Sequence, residues 1–257
     1  MGSGSTPLTI AVLVKQVPDM NAVKIDRATG APQFSGQQAV NSYDEYAIEE
    51  ALRLQERHGG ETVALTIGPA SAKDALTRAL AMGIDRGIHI EVADGSGHDT
   101  LAVARMLAEQ LRGLGPSLVL AGQAADDYES GQVGAQVAEL LGMPLVSNIV
   151  SVEVGPDGLT LRRDMEDGYQ VVKAPLPAVL LSSTGLNEPR FPSLKGIMAA
   201  KKKPIEKVAG AASGASRISW TAPAAPEKTV AGVIVQDVPA AEAAKQLVAW
   251  LREQKVI

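Results

Sequence analysis

A run of small and polar residues, Gly122-Gln123-Ala124-Ala125-Asp126-Asp127-Tyr128-Glu129-Ser130-Gly131-Gln132-Val133-Gly134, leads directly into an apolar-periodic segment. Backbone amides at such a helix entry suit an anion, a phosphate above all. Asp127 within it suits a ribose hydroxyl, and an acidic residue answering a helix dipole accounts for it equally well. Three other segments have the same character: the residues after Val14, the turn Asn41-Ser42-Tyr43-Asp44, and Ile67-Gly68-Pro69. No Walker-type lysine loop is present, and no Gly-x-Gly-x-x-Gly follows the first strand, so ATP hydrolysis and dinucleotide binding of the Rossmann kind lose support. A bound mononucleotide remains. The carboxylates Asp126-Asp127 and Glu49-Glu50 are adjacent in sequence rather than set across a cleft, so they form no acid–base pair and are expected to face solvent. His58, His89 and His98 lack metal-ligand spacing.

Composition narrows the chemistry further. Cysteine is absent from the 257 residues, which excludes disulfides, thiolate metal sites and thiol nucleophiles. Any redox step therefore needs a bound cofactor, and with aromatics at 3% few side chains can stack on one. Lys+Arg at 24 against Asp+Glu at 29, a net charge of −5, gives no electrostatic grip on nucleic acid or acidic lipid. No apolar run approaches the ~20 residues of a membrane span, so a soluble, cytoplasmic protein is expected. Met1-Gly2-Ser3-Gly4-Ser5 has no basic region leading into an apolar stretch and reads as a cloning scar.

The elements that must position these residues alternate. Residues 9–17 (TIAVLVKQV) are short, β-branched and nearly continuous in apolar character, as in a strand buried on both faces of a parallel sheet. Residues 43–57 carry Ala47, Ile48, Ala51, Leu52 and Leu54 on a helical stripe closed by Gly59-Gly60. Strand 62–67, a helix with Ala75, Leu76, Ala79 and Leu80 inward, strand 87–92, helix 99–111, strand 117–121 and helix 132–141 continue the pattern. This is a doubly wound α/β sandwich of three layers. Beyond Pro144 the pattern changes to strands at 147–154, 159–163, 169–173 and 178–182, read as antiparallel additions to the sheet. Lys201-Lys202-Lys203-Pro204 ends the compact part, and 210–228 is rich in Ala, Ser, Gly and Pro, as an extended linker is. The tail holds a strand at 230–236 and a helix at 240–254 with Ala243, Leu247, Trp250 and Leu251 on one face. A helix so tethered exposes Leu247 and Trp250 unless it packs on a partner chain or folds back on its own domain. The boundaries are an N-terminal segment 1–8, an α/β domain 9–207, a linker 208–229 and an arm 230–257.

Several motifs, in order, resemble the beta subunits of electron transfer flavoproteins: Lys15-Gln16-Val17-Pro18-Asp19, Asn41-Ser42-Tyr43-Asp44-Glu45 with Glu49-Glu50-Ala51-Leu52, Ala79 to Arg86, and the 123–134 loop. The most specific is Leu186-Asn187-Glu188-Pro189-Arg190-Phe191-Pro192-Ser193-Leu194-Lys195-Gly196-Ile197-Met198-Ala199-Ala200-Lys201-Lys202-Lys203. The resemblance implies a sandwich like that of the adenine nucleotide alpha-hydrolases and a heterodimer whose alpha subunit holds the redox FAD. The C-terminal arm would embrace that subunit. It further implies a docking loop for acyl-CoA dehydrogenases and related flavoenzymes, with Leu194 as anchor beside Phe191, Ile197 and Met198, and with a quinone-linked oxidoreductase as acceptor. Lys201, Lys202 and Lys203 would flank that loop and steer acidic donors. AMP would lie against Leu13, Asn41, Ser42, Tyr43, Asp44, Ile67, Leu120, Ala124, Ala125, Asp126, Asp127, Tyr128, Glu129, Ser130, Gly131, Gln132, Val133, Gly134 and Ala135. In the electron-bifurcating branch the same pocket holds a second FAD and meets NADH. The middle of the 127–134 loop departs from both branches, and bulky Tyr128 disfavours the close backbone approach a flavin needs.

Overall fold

The computed structural model describes residues 7–93, 98–210, 216, 218, 219, 221, 223–226 and 232–257. It divides into two units, 1–24 with 33–222 and 25–32 with 223–257. In chain order the elements are β1 (Leu8–Leu13), β2 (Gln16–Pro18), β3 (Lys24–Ile25), β4 (Pro32–Gln33), β5 (Gln38–Val40), α1 (Ser42–His58) and β6 (Gly60–Gly68). Then come α2 (Lys73–Met82), β7 (Arg86–Glu91), α3 (Thr100–Leu114), β8 (Leu118–Gly122), α4 (Val133–Leu141), β9 (Leu145–Gly155), β10 (Gly158–Met165) and β11 (Gly168–Ala174). The last are β12 (Ala178–Ser182), α5 (Leu194–Ala200), β13 (Ile205–Ala209) and α6 (Ala240–Glu253).

The larger unit is built on one sheet ordered β11-β10-β9-β12-β8-β1-β6-β7-β13. From β9 to β13 every pairing is parallel, while β10 and β11 extend the edge antiparallel. Side-chain alternation explains the apolar strands. Ile10, Val12, Leu118, Leu120, Ala178 and Leu180 pack in a core with α1 and α2. Their neighbours Ala11, Leu13, Val119, Ala121, Val179 and Leu181 pack in a second core with α3 and α4. Both faces are covered, so the central strands are apolar on both sides, apart from buried Thr62 and Thr66 on one face of β6. The chain winds from β1 outward through β6 and β7, then returns to β8 on the other flank of β1. A crevice opens where the order reverses.

Five details differ from the sequence expectations. Of the strands read as antiparallel additions, β9 and β12 are parallel members of the sheet, with β12 between β9 and β8. The run 9–17 is two strands: β1 stops at Leu13, and Gln16–Pro18 pairs with β5 in a separate two-stranded sheet. The break arises because the Lys15 N–H leaves the strand ladder and donates to Asp44 Oδ2 at 2.7 Å. The docking segment is not all loop, since Leu194–Ala200 is helical, with Ser193 Oγ accepting from the Gly196 N–H at 3.0 Å. The sheet runs on past Lys207 to Ala209, because β13 pairs in parallel with β7. Residues 232–236 have no regular structure; 230 and 231 of that expected strand, and residues 1–6, lie outside the described residues, as do 211–215, 217, 220, 222 and 227–229 of the linker.

In the smaller unit, Asp26 Oδ1 accepts from the N–H groups of Ala28 and Thr29, each at 2.9 Å, and closes the turn between β3 and β4. The Ala225 N–H donates to Gly30 O at 2.7 Å, tying the end of the linker to that turn. The α6 helix contains no buried residue within its own unit, although its apolar side chains share one face.

Candidate nucleotide cavity and docking segment

At the carboxyl ends of β1, β6 and β8 lies a cavity of about 520 Å³, lined chiefly by apolar side chains. That size lies within the range of small-molecule and cofactor pockets, roughly 300–1,000 Å³. Of the residues expected from sequence, Leu13, Asn41, Asp44, Ile67, Ala124, Ala125, Tyr128, Ser130, Gly131, Gln132, Val133 and Gly134 line it. Ser42, Tyr43, Leu120, Asp126, Asp127, Glu129 and Ala135 lie outside that lining. Leu120 points its side chain into the α1–α2 core.

The rim is a zipper between two chain segments. Asn41 Nδ2 donates to Ala124 O at 2.8 Å, and the Asp126 N–H returns a bond to Asn41 Oδ1 at 3.0 Å. Asp126 accepts from both the N–H and the hydroxyl of Ser42, at 2.8 and 2.7 Å. Asp44 joins the strand ends, taking the Lys15 N–H on Oδ2 at 2.7 Å and the Gly122 N–H on Oδ1 at 3.0 Å. Burial pushes the Asp44 carboxyl up to about 7, against the opposing pull of those amides and of the nearby Lys15 charge. Lys15 Nζ lies 2.7 Å from both Asp127 carboxylate oxygens and 5.2 Å from the centre of the Tyr128 ring. Asp126 and Asp127 therefore brace the cavity mouth.

The α4 helix begins at the cavity wall without a side-chain cap, since the Gln132 Oε1 that occupies the cap position accepts from Thr100 Oγ1 instead, at 2.8 Å. Its first-turn N–H groups lack intrahelical partners by geometry and carry the positive end of the helix dipole. Lys15, Leu65, Val92, His98, Thr100, Val103 and Leu107 also line the cavity. Apart from Lys15, which follows Val14, sequence reasoning did not assign them. Val92 directly follows β7, so the strand-end rule reaches it; Val103 and Leu107 sit one turn apart on α3 and require the phase of that helix. His89 is buried in β7 with Nε2 3.2 Å from Gly68 O, and among the described residues no cluster of His, Asp or Glu is arranged to hold a metal.

The docking segment lies on another surface of the same unit. Phe191 and Leu194 are 86% and 79% exposed, and Ile197 and Met198 are exposed beside them. Glu49 and Glu50, expected in solvent, are buried. Glu49 pairs with Arg53 and Arg190 at 2.7 Å each, and Glu50 with Arg57 at 3.1 Å. The two guanidinium groups at Glu49 outweigh its burial and hold its carboxyl below the usual range, whereas burial dominates at Glu50 and raises it. Lys203, expected to steer donors with Lys201 and Lys202, is instead tied into the fold. Its Nζ donates to Leu80 O, Gly83 O and Ile84 O at 3.1, 2.8 and 2.5 Å, closing the C-terminus of α2, and its desolvation lowers its pKa. Lys201 and Lys202 remain exposed.

A sheet wound outward in both directions from β1, with a cavity at the reversal, makes the larger unit a doubly wound α/β domain. The family model for the electron transfer flavoprotein domain matches residues 34–213. The electron transfer flavoprotein subunit beta of Syntrophomonas wolfei is 40% identical over 247 residues, covering 95% of this chain and 96% of that relative. That of Bacillus subtilis is 38% identical over 259 residues, 97% of this chain and the whole of the relative. The caffeyl-CoA reductase-Etf complex subunit CarD of Acetobacterium woodii is 38% identical over 201 residues, 77% of each chain. The chain belongs to the electron transfer flavoprotein family, on its beta-subunit branch. Its role is thus electron transfer as one subunit of a flavoprotein complex with an alpha subunit. No helix among the described residues is long and apolar enough to cross a membrane.

Proposed function

We propose that this beta subunit holds AMP as a structural ligand, pairs with an alpha subunit that carries the redox FAD, and performs no bond chemistry itself. Electrons would pass from acyl-CoA dehydrogenases or related flavoenzymes to that FAD and on to a quinone-linked oxidoreductase, in the cytoplasm. The observation that carries the nucleotide assignment is the uncapped start of α4 opening into an apolar cavity at the sheet's switch point. A phosphate there meets free amides and the helix dipole, while the apolar walls accept a base. The docking assignment is supported by the exposed group Phe191, Leu194, Ile197 and Met198, a compact apolar patch of the size a short-lived complex needs.

The apolar lining residues Ile67, Val92, Val103 and Leu107 favour a second reading, because apolar walls also suit a flavin ring. In that reading the cavity holds a second FAD, and the complex oxidises NADH with electron bifurcation. Mass spectrometry of the nucleotide released from the purified heterodimer, with a flavin count, separates the two. One FAD with one AMP per heterodimer is expected; two FAD and no AMP would replace the first reading by the second.

A further inference from the structure

Arg190 stands at the root of the exposed patch and every nitrogen of its guanidinium is engaged. Nε and Nη2 donate to the two carboxylate oxygens of Glu49 at 2.7 and 3.1 Å, and Nη1 and Nη2 donate to Glu56 at 2.6 and 3.3 Å. The backbone N–H of Arg190 adds a third bond to Glu49 at 3.1 Å. Glu49 and Glu56 are two helical turns apart and share one face of α1. Only a planar fork can span both carboxylates at once; a lysine reaches one as a point charge. Just upstream, Asn187 Nδ2 donates to Tyr46 O at 3.0 Å and to Glu50 Oε2 at 3.2 Å, so residues 187–190 are stapled along α1. The next side chain, Phe191, is free of the fold, and Leu194, three residues on, opens α5.

On these grounds we infer that Arg190 is a positioning residue for electron-donor docking: its fork across Glu49 and Glu56 fixes the angle at which Phe191 and Leu194 leave the domain. The inference rests on the docking reading above. A small patch gains affinity chiefly by being ordered before contact, because an unanchored loop loses conformational entropy on binding. Glu49 is 2% exposed, so its pairing with Arg190 is shielded from salt, unlike a surface ion pair. Arg190 need not touch the donor to act in this way.

The test uses the intact heterodimer, reduced by an acyl-CoA dehydrogenase kept charged with its acyl-CoA, with heterodimer concentration varied to separate KM from kcat. Arg190→Lys is expected to raise KM about tenfold, with kcat, flavin content and the rate of reduction by dithionite unchanged. In a Leu194→Ala background, where the patch has already lost its anchor, the same change should add less than about twofold. Glu56→Gln, which removes one arm of the fork at an exposed carboxylate, gives a smaller rise of about threefold and serves where Arg190→Lys folds poorly. If Leu194→Ala alone raises KM but Arg190→Lys and Glu56→Gln do not, the positioning role is wrong and the docking surface stands. Full multiplication of the two effects also overturns it. If Leu194→Ala changes nothing, the docking reading and this inference fail together.

Discussion

The Gly122 N–H donates to Asp44 Oδ1 at 3.0 Å across the crevice where β8 and β1 part, and a Cβ on Gly122 would stand 2.5 Å from that same oxygen. The carboxylate and the glycine fit each other at a distance that no larger residue tolerates. Asp44 also holds the Lys15 N–H, so one side chain joins the ends of both strands at the mouth of the cavity.

That arrangement gives a pH dependence of determined sign. Burial raises the folded-state carboxyl of Asp44 to about 7 from an ordinary 3.8, so the folded form binds the proton more tightly than the unfolded chain does. Its contribution to stability is greatest below the unfolded value and is lost as pH rises through about 7. Asp44→Asn cannot titrate. Unfolding midpoints in urea should therefore show wild type losing stability relative to Asp44→Asn between about pH 5 and about pH 8. Glu49 and Glu50 titrate alike in both proteins and cancel in the difference. A difference independent of pH would contradict the assignment.

Gly196 supports a second prediction. A Cβ at this position would overlap the carbonyl oxygen of Ala81, a backbone atom of α2 that has no rotamer to move into. Gly196→Ala must therefore lift α5 from α2, at a cost of about 1–3 kcal/mol. Because Leu194, Ile197 and Met198 ride on α5, donor KM should rise as thermal stability falls, while nucleotide content stays the same. An alanine variant with unaltered melting temperature and unaltered KM would show that α5 is not seated there.

Lys203 yields a third. It satisfies three carbonyls at the end of α2 and opposes the negative end of the helix dipole. Lys203→Met should cost about 1–2 kcal/mol, read as a fall in the urea midpoint. Lys201→Gln and Lys202→Gln, at exposed positions, should leave that midpoint unchanged and slow donor association at low salt. Equal destabilisation by all three changes would refute the division of roles.

These cases also mark what was legible in advance. The strands of the βα alternation were, because burial on both faces writes itself as unbroken apolar runs such as Leu118–Gly122, whereas Ala178–Ser182, equally apolar, follows other strands rather than a helix and so read as an antiparallel addition. The cavity was legible in outline, because strand ends and a small, polar loop entering α4 follow a topological rule. Glu49 was misjudged because its partner, Arg190, is 141 positions away, and nothing local marks a carboxylate as paired. Lys203 looked like its two neighbours until its turn placed Nζ over the end of α2. The α5 helix escaped because seven residues after Pro192 are too few to display a period.

The arm makes the last prediction. The α6 helix buries nothing in its own unit, yet Leu247 and Trp250, at helical spacing, are 54% and 40% exposed. An amphipathic face left in water carries an unfavourable hydration free energy that a partner would remove. In the proposed heterodimer the alpha subunit covers that face, and aromatic anchors tend to dominate such contacts. Trp250→Glu should therefore weaken association with the alpha subunit by about tenfold or more, measured by sedimentation of the two chains mixed. The circular dichroism of the isolated beta subunit should not change, because the replaced side chain supports no core of its own. An undiminished association would mean that the arm packs elsewhere and that the alpha subunit is held by another surface.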